Sequence, residues 1–288
     1  MRGAFLAYMD EHFRAFSFVD RITSLPTRSV IQGEYVVPAD VQAFPASLVA
    51  EAVGQLAAWA AMAVTEFKRR PVAGLAERIE LLAPVTPGQI LELGATLDSV
   101  DDETVAYHGT AHADGTPVIR LQNCLGPMLA LEEFDSPDML RNRFALLCGP
   151  GAAPGAFQGL PRIEFERTPS DTGQRARASL RVPNSAAFFA DHFPRHPVFP
   201  GSLLMDTNLR LVASLAAEIP TPADSGTWRL GEVLDVKLRT FIPPGATLEL
   251  EANLSERSNA RALVSIVTRN GAKLVGSARA VLSATKCE

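Results

Sequence analysis

The chain has 288 residues, 47% of them hydrophobic and 20% charged, and its 27 Lys and Arg residues against 32 Asp and Glu residues give a net charge of −5. This composition excludes a wholly disordered chain, and the lack of a positive balance disfavours nucleic acid as the main partner. At about 150 residues per domain, the length fits two modest domains or one large one. Cys124, Cys148 and Cys287 show no CxxC spacing, which indicates reduced thiols in a cytoplasmic protein.

No part of the sequence is typical of a signal peptide or a membrane span. Asp10 and Glu11 lie where a signal peptide is still apolar. The most apolar run, 46–67, contains Glu51 and Glu66, so it lacks the roughly 18 uninterrupted apolar residues that a spanning helix needs. We therefore expect it to be a buried helix of a soluble protein that has no membrane partner.

Landmarks in the first half of the sequence recur in the second half at nearly one spacing. A Phe-Pro pair followed by Ser-Leu and an acid occurs at 44–51 and, 155 residues later, at 199–206. A Pro-Gly turn ends at Gly88 and at Gly245, and a hairpin dipeptide ends at Gly115 and at Gly271. We interpret the chain as a duplicated unit with domains at 1–148 and 161–288 and a linker rich in Gly, Pro and Ala at 149–160.

Both halves predict the same order of elements: a β-rich segment, one long helix and three strand regions. In chain order, the first half has a β-rich segment at 16–37, a helix at 47–69 and strands at 78–82, 89–113 and 117–131. A short helix follows, with Ser136 as its N-cap. The second half has a β-rich segment at 162–182, a helix at 202–217 and strands at 231–239, 247–269 and 272–283. The middle region of each half is long enough for two strands, with turns at 100–103 and 255–260.

The helix at 47–69 is rich in alanine and apolar on nearly every face, which is typical of a buried helix. Its small side chains let a curved sheet approach closely on several sides. One long buried helix wrapped by an antiparallel sheet is the hot-dog arrangement. The duplication therefore predicts an α+β protein with a double hot-dog fold.

The most informative segment is 188–206, which reads FFADHFPRHPVFPGSLLMD. It resembles the β-hydroxyacyl-acyl-carrier-protein dehydratases of fatty-acid synthesis, whose pattern is FFxxHFPxxPxxPGxLxx(E/D)xxxQ. In the first half, FVDRI at 18–22, FPASLVAEAVGQ at 44–55 and the turn at 84–88 are also similar to that family.

Each half departs from the family pattern in a different place. Aligned with His192, the first half has Val36, and Ala46 stands where the second half has Gly201, but Glu51 and Gln55 are kept. The second half keeps its histidine and glycine, and it has Asp206 for Glu and Arg210 for Gln.

The family's site is composite, with the histidine from one hot dog and the acid from its neighbour. The resemblance therefore implies one complete site per chain, made by His192, Gly201 and Glu51. The reciprocal site would pair Asp206 with Val36 and has no base. Asp206 and Arg210 stand at i, i+4 and are expected to form an ion pair, which marks that site as degenerate.

The implied chemistry is the elimination of water from a 3-hydroxyacyl thioester. Neutral His192 would take the C2 proton. The amide of Gly201, at a helix start, would stabilise the thioester oxyanion. Burial should raise the pKa of Glu51, so that it can protonate the leaving hydroxyl, while Gln55 holds the carboxyl. Phe193 and Pro200 are the neighbouring motif residues that support these groups.

Other polar residues have simpler interpretations. His108 and His112 lie at i, i+4 in a predicted strand without a nearby acid or thiol, so we expect no metal. His196 is interpreted as a loop histidine or as part of the pocket mouth. Residues 68–70, Lys-Arg-Arg, are interpreted as a solvated helix end; the alternative is that, with Arg195, they receive an acidic carrier protein.

The resemblance implies a hydro-lyase that makes the trans-2-enoyl thioester on acyl carrier protein, in fatty-acid, polyketide or polyene synthesis. It implies no cofactor beyond the carrier's phosphopantetheine, and it allows a homo-oligomer. Polyketide synthase dehydratases are also double hot dogs, but their histidine lies in the first half, whereas here it lies in the second. A hot-dog thioesterase and a degenerate protein that binds an acyl chain or a carrier are the alternatives.

Overall fold

The computed structural model describes residues 13–153, 162–221 and 225–286. The linker predicted at 149–160 lies mostly outside these residues, as do Asp10, Glu11 and Cys287, so the domain boundaries stay a prediction. In the first half the elements are β1 (Arg21–Ser24), β2 (Val30–Val36), α1 (Ala46–Val64), β3 (Arg69–Pro71), β4 (Leu75–Leu81), β5 (Ile90–Val100), β6 (Thr104–Ala113), β7 (Thr116–Ala130) and α2 (Pro137–Cys148). In the second half they are β8 (Phe165–Thr168), β9 (Arg175–Arg181), α3 (Gly201–Ala216), β10 (Ser225–Leu238), β11 (Thr247–Arg257), β12 (Arg261–Asn270) and β13 (Lys273–Lys286). Short 3-10 helices lie at Leu131–Glu133 and Ala187–Ala190.

The strands of both halves form one antiparallel sheet. Its order is β1-β2-β5-β6-β7-β4 in the first half, followed by β10-β13-β12-β11-β9-β8 in the second, and β3 pairs separately with β7. The halves meet where β4 pairs with β10, with Ile79 opposite Val233. The equivalent strand of each half thus forms the seam, and each half wraps one long helix. The predicted α+β double hot-dog fold is confirmed.

The two long helices form the centre of the molecule. In α1, Ala52, Val53 and Leu56 have no exposed surface, and α3 packs against α1. By length and composition alone α1 could cross a membrane, but most of it is buried inside the protein. The buried helix expected from the alanine-rich sequence is therefore confirmed as a core element.

The first helix is shorter than its sequence predicts, ending at Val64 instead of near residue 69. The Thr65 hydroxyl donates to the Ala61 carbonyl at 3.1 Å, and Glu66 and Phe67 then take positive φ angles of 54° and 59°. Left-handed backbone at two successive residues reverses the chain and ends the helix. As a result, the basic run enters β3 and does not extend a solvated helix.

The equivalence of Val36 with His192 is wrong. Val36 is the last residue of β2 and pairs with Ile90, the first residue of β5. Arg181 is the last residue of β9 and pairs with Thr247, the first residue of β11. The sheet therefore makes Val36 equivalent to Arg181, eleven residues before the histidine.

The difference between the halves lies in the length of one loop. Nine residue steps separate Val36 from Pro45, which caps α1, and nineteen separate Arg181 from Pro200, which caps α3. The second half therefore has ten more residues here, and the added length accommodates the segment that carries His192. The first half lacks this whole segment, which is a stronger reason for a single site than one substituted residue.

Candidate active site

A cavity of about 230 Å³ lies where the start of α3 meets the middle of α1, between the two halves. Its lining contains five of the residues that the sequence analysis assigned to the site: Glu51, Gln55, His192, Phe193 and Gly201. Glu51 and Gln55 belong to the first half of the chain, and the other three residues belong to the second half. The fold therefore brings the expected acid and base into one chamber.

His192 lies in the loop that follows the 3-10 helix at Ala187–Ala190. Its Nδ1 lies 3.0 Å from the carbonyl oxygen of Val198. Because a carbonyl only accepts, Nδ1 carries the proton in the neutral ring, and Nε2 keeps a free lone pair. The ring stacks on Phe193 at 4.3 Å, across a cis peptide bond, and meets the edge of Phe16 at 5.3 Å.

The ionisation of His192 suits a general base. Burial lowers its pKa to about 4, the positive charge of Arg70 also lowers it, and the hydrogen bond to Val198 opposes the change. The ring is therefore neutral at physiological pH. A lone pair on Nε2 is then available to take a proton.

Glu51 is fixed on α1 through Gln55, one helical turn further on. The Gln55 Nε2 donates to Glu51 Oε1 at 3.0 Å and to the Phe16 carbonyl at 3.0 Å, and its Oε1 accepts from the Phe18 amide at 2.8 Å. With both of its polar atoms held, Gln55 has little freedom to rotate. It therefore places the Glu51 carboxyl in the way the sequence predicts.

Burial raises the pKa of Glu51, as expected from its place on a buried helix. The Ser202 hydroxyl, the Gln55 amide and the charge of Arg70 act in the opposite direction. Ser202 belongs to α3, so its hydroxyl acts on this carboxyl from the other half of the chain. The carboxyl thus favours its protonated form, as a general acid requires, beside groups that can stabilise the anion it leaves.

Gly201 is the first residue of α3 and follows Pro200, which occupies the N-cap position. Amides in the first turn of a helix have no acceptor within the helix, and they lie at the positive end of its dipole. A Cβ at Gly201 would lie 2.4 Å from Leu238 Cδ1, so a side chain here would displace a wall of the cavity. At the equivalent position, α1 begins with Ala46 after Pro45.

Arg70 is a cavity residue that the sequence analysis did not assign to the site. Its Nη1 lies 3.4 Å from Asp135 Oδ2, and its guanidinium carbon lies 4.1 Å from the centre of the Phe193 ring. Of the basic run, Lys68 does lie in solvent, where it pairs with Glu66 at 2.7 Å. The solvated-end interpretation is therefore wrong for Arg70, because neighbouring side chains in a short strand such as β3 point to opposite faces.

Asp191 is a second residue that sequence analysis missed. Its carboxylate accepts hydrogen bonds from the backbone amides of Phe13, Ala15 at 2.9 Å and Phe16 at 2.7 Å. It is only 7% exposed. The residue before the histidine therefore anchors the first described residues of the other half over the cavity.

The reciprocal position has a different arrangement. The predicted ion pair is confirmed: Arg210 Nε lies 3.1 Å from Asp206 Oδ2. Arg210 also donates to the Ile163 carbonyl and lies over the Phe165 ring at 5.3 Å. Among the described residues, neither member of this pair lines the cavity that holds His192.

Two other histidines, His108 and His196, and the thiol of Cys124 lie away from the expected acid and base or pack around them. His108 faces Asp98 at 2.8 Å on an exposed surface, and His196 lies against Phe134 at a ring distance of 5.5 Å. Cys124 is buried, as expected for a strand residue. Within residues 13–153, 162–221 and 225–286, no group of three or more His, Cys, Asp or Glu side chains has an arrangement that could hold a metal.

Comparison with known structures identifies the fold. The chain is similar over 90% of its length to a protein described as an oleoyl thioesterase from Lactobacillus plantarum, with a TM-score of 0.58, 10% identity and 98% of that chain covered. An acyl-ACP thioesterase from Bacteroides thetaiotaomicron gives a TM-score of 0.53 at 12% identity, covering 88% of this chain and 97% of the other. At these identities the likeness concerns the fold alone.

The sequence relationships concern dehydratases. Residues 168–276 match the ApeI-like family, described as ApeI dehydratase. The 3-hydroxyacyl-[acyl-carrier-protein] dehydratase FabZ of Pseudothermotoga lettingae is 27% identical over 132 residues, which cover 44% of this chain and 89% of that protein. The FabZ of a Polaromonas species is 30% identical over 86 residues, which cover 29% of this chain and 59% of that protein. By sequence the chain is therefore similar to hot-dog dehydratases.

Proposed function

We propose that this protein removes water from a 3-hydroxyacyl thioester, carried on acyl carrier protein, to give the trans-2-enoyl thioester. The observation that carries the proposal is the shared cavity, in which His192 of one half and Glu51 of the other, whose pKa is raised by burial, line one chamber at the start of α3. Each chain then has one composite site.

The groups present account for every proton in the elimination. His192 Nε2 takes the proton from C2, and negative charge develops on the thioester oxygen near the Gly201 amide. The C3–O bond breaks as Glu51 gives its proton to the leaving hydroxyl, which departs as water. The C2–H electron pair becomes the C2–C3 double bond. The histidine is left protonated and the glutamate ionised, and proton exchange with water restores both.

The ionisation states support this direction of proton transfer. Burial holds the pKa of His192 at about 4 and raises that of Glu51, so the base is neutral and the acid is protonated together over a common pH range. An ester-cleaving enzyme would instead need an ionised carboxylate to activate water. The arrangement therefore favours dehydration over thioester hydrolysis.

The names of the relatives suggest the substrate carrier. The FabZ relatives are named for 3-hydroxyacyl groups on acyl carrier protein, and we propose the same carrier here, in the cytoplasm and in fatty-acid or polyketide-type synthesis. The chemistry is acid–base elimination, so we propose no metal or organic cofactor beyond the carrier's phosphopantetheine.

The reverse reaction tests this proposal. Hydration of an enoyl thioester is followed by loss of its ultraviolet absorbance, with carrier-protein and coenzyme A forms of the substrate. We expect His192→Ala and Glu51→Gln each to lose at least about 100-fold in rate, as removal of a general acid or base does. Asp206→Asn is the matched control, an acid at the equivalent helical position, and should keep the rate.

Two outcomes would contradict the proposal. A folded protein that is inert on every enoyl thioester tested but releases thiol from saturated acyl thioesters would be a thioesterase. A protein that binds acyl thioesters without converting them would be a degenerate binding protein.

A further inference from the structure

We propose that Arg70 is a positioning residue of this site: a fixed positive charge in the reaction cavity that favours neutral His192 and helps Glu51 to release its proton. The inference rests on the proposed function, because it assigns a role in the same proton transfers. Neither the basic run nor the family motif assigns this role to Arg70.

The backbone brings Arg70 into the cavity. Positive φ angles at Glu66 and Phe67 end α1 and turn the chain into β3, where Arg70 pairs with Leu129 of β7. Two buried groups then hold the guanidinium. Asp135, which precedes the N-cap residue of α2 and is 1% exposed, lies 3.4 Å away, and the Phe193 ring, 5% exposed, lies 4.1 Å away.

These two contacts place the positive charge of Arg70 close to His192. Phe193 follows His192 directly, and the two rings stack at 4.3 Å, so the guanidinium and the imidazole contact the same phenyl ring. Between buried groups, charges interact more strongly than they do in water. A cation there disfavours a second cation on His192 and stabilises the carboxylate that Glu51 becomes.

The direction of each interaction agrees with this geometry. Arg70 lowers the pKa of His192, in the same direction as the larger effect of burial, and it lowers the pKa of Glu51 against the larger effect of burial. Burial lowers the pKa of Arg70 itself, while Asp135, Glu51 and Asp191 raise it. Arginine starts from a pKa so high that it keeps its charge.

Other charged groups face the same chamber and act differently. Asp191, beside the histidine, raises the pKa of His192. Arg143 of α2 also lines the cavity, but its charge acts with Asp20 and Asp191. Tyr107 of β6 lies near enough to Glu51 for that carboxylate to raise the pKa of the phenol. Arg143 therefore offers a matched control: a second partly buried cation in the cavity that is not paired with the acid or the base.

The first measurement does not depend on activity. The ring C–H signals of the five histidines are followed by NMR from low to neutral pH, and the His192 signal is assigned by its loss in His192→Asn. In Arg70→Gln we expect the pKa of His192 to rise by about one unit, the scale of a neighbouring charge. Arg70→Lys should keep most of the wild-type value, and Arg143→Gln should leave it unchanged.

The second measurement is the pH dependence of enoyl hydration. Loss of the Arg70 charge should move both limbs of the profile to higher pH, because the pKa of the acid and that of the base both rise. A purely structural role would lower the rate without moving either limb. Arg70→Gln combined with Asp135→Asn removes both charges of the buried ion pair together, so the shift remains measurable if the single variant fails to fold.

The two proposals fail in different ways. An unchanged His192 pKa in folded Arg70→Gln, or an equal shift in Arg143→Gln, overturns the role of Arg70 whatever the enzyme does. A wild-type protein that is inert on enoyl thioesters but shows the expected NMR shift overturns the proposed function and leaves the electrostatic effect of Arg70 intact.

Discussion

Replacing Asp191 with Ala tests whether one carboxylate fastens the two halves over the cavity. The substitution removes the acceptor for the backbone amides of Phe13, Ala15 and Phe16, which belong to the other half. It leaves the His192 side chain and its hydrogen bond to Val198 in place. The variant therefore tests the anchoring through protein stability, without removing a group that takes part in the proposed proton transfers.

The expected loss of stability follows from those three bonds. A buried donor left without its acceptor costs about 1–3 kcal/mol, and removing one partner from a buried charged network costs about 3–5 kcal/mol in total. We expect the free energy of unfolding to fall by about 3–5 kcal/mol. At about 2–3 °C per kcal/mol for a chain of this size, the Tm should fall by roughly 6–15 °C.

Denaturant unfolding followed by circular dichroism measures this loss. Asp191→Asn keeps one acceptor oxygen and should lose less than Asp191→Ala. Asp138→Ala is the control, because that carboxylate is exposed in its ion pair with Arg141 and should change stability by less than about 1 kcal/mol. A loss below about 1 kcal/mol in Asp191→Ala would refute the anchoring role.

The remaining predictions concern a close contact and a buried carboxyl. Gly201→Ala should lower the free energy of unfolding by about 1 kcal/mol, because its Cβ would lie 2.4 Å from Leu238 Cδ1 and the end of that side chain has to shift, and the same substitution made in Leu238→Ala should cost less in thermal melts. Full stability of Gly201→Ala alone would contradict this. Burial raises the pKa of Asp20 to about 6 from 3.8, so its ionised form destabilises the fold as pH rises through that range. Asp20→Asn should therefore raise the free energy of unfolding at pH 8 by about 1–3 kcal/mol more than it does at pH 4. Urea unfolding measures both values, and an equal effect at the two pH values would refute the reasoning.

Local sequence signals predicted much of the fold. The hairpin dipeptides at 114–115 and 270–271 lie where β6 turns into β7 and β12 turns into β13, with positive φ at Asp114, Gly115 and Gly271. The alanine-rich run predicted the buried helix, and the two long helices begin at Ala46 and Gly201, each one residue before its predicted start. These signals are readable because they act over a few residues or one helical period.

The sequence also predicted part of the site. Glu51 and Gln55 are one helical turn apart, so their contact follows from helix geometry. The Asp206–Arg210 pair follows from the same spacing. The meeting of Glu51 with His192 was inferred from the resemblance, and the cavity between the halves brings the two residues into one chamber.

The tertiary structure alone decided the rest. The sequence alone aligned Val36 with His192. The strand pairs Val36–Ile90 and Arg181–Thr247 showed instead that Val36 is equivalent to Arg181, and that the second half has ten more residues in the loop before its long helix. Nothing in the run of Lys68, Arg69 and Arg70 distinguishes the one cation that turns inward. That choice depends on where the helix ends, on strand alternation and on a buried carboxylate 65 residues away in sequence. A linear sequence determines turns and helical faces because they are local, whereas contacts between distant segments exist only once the sheet has joined the two halves.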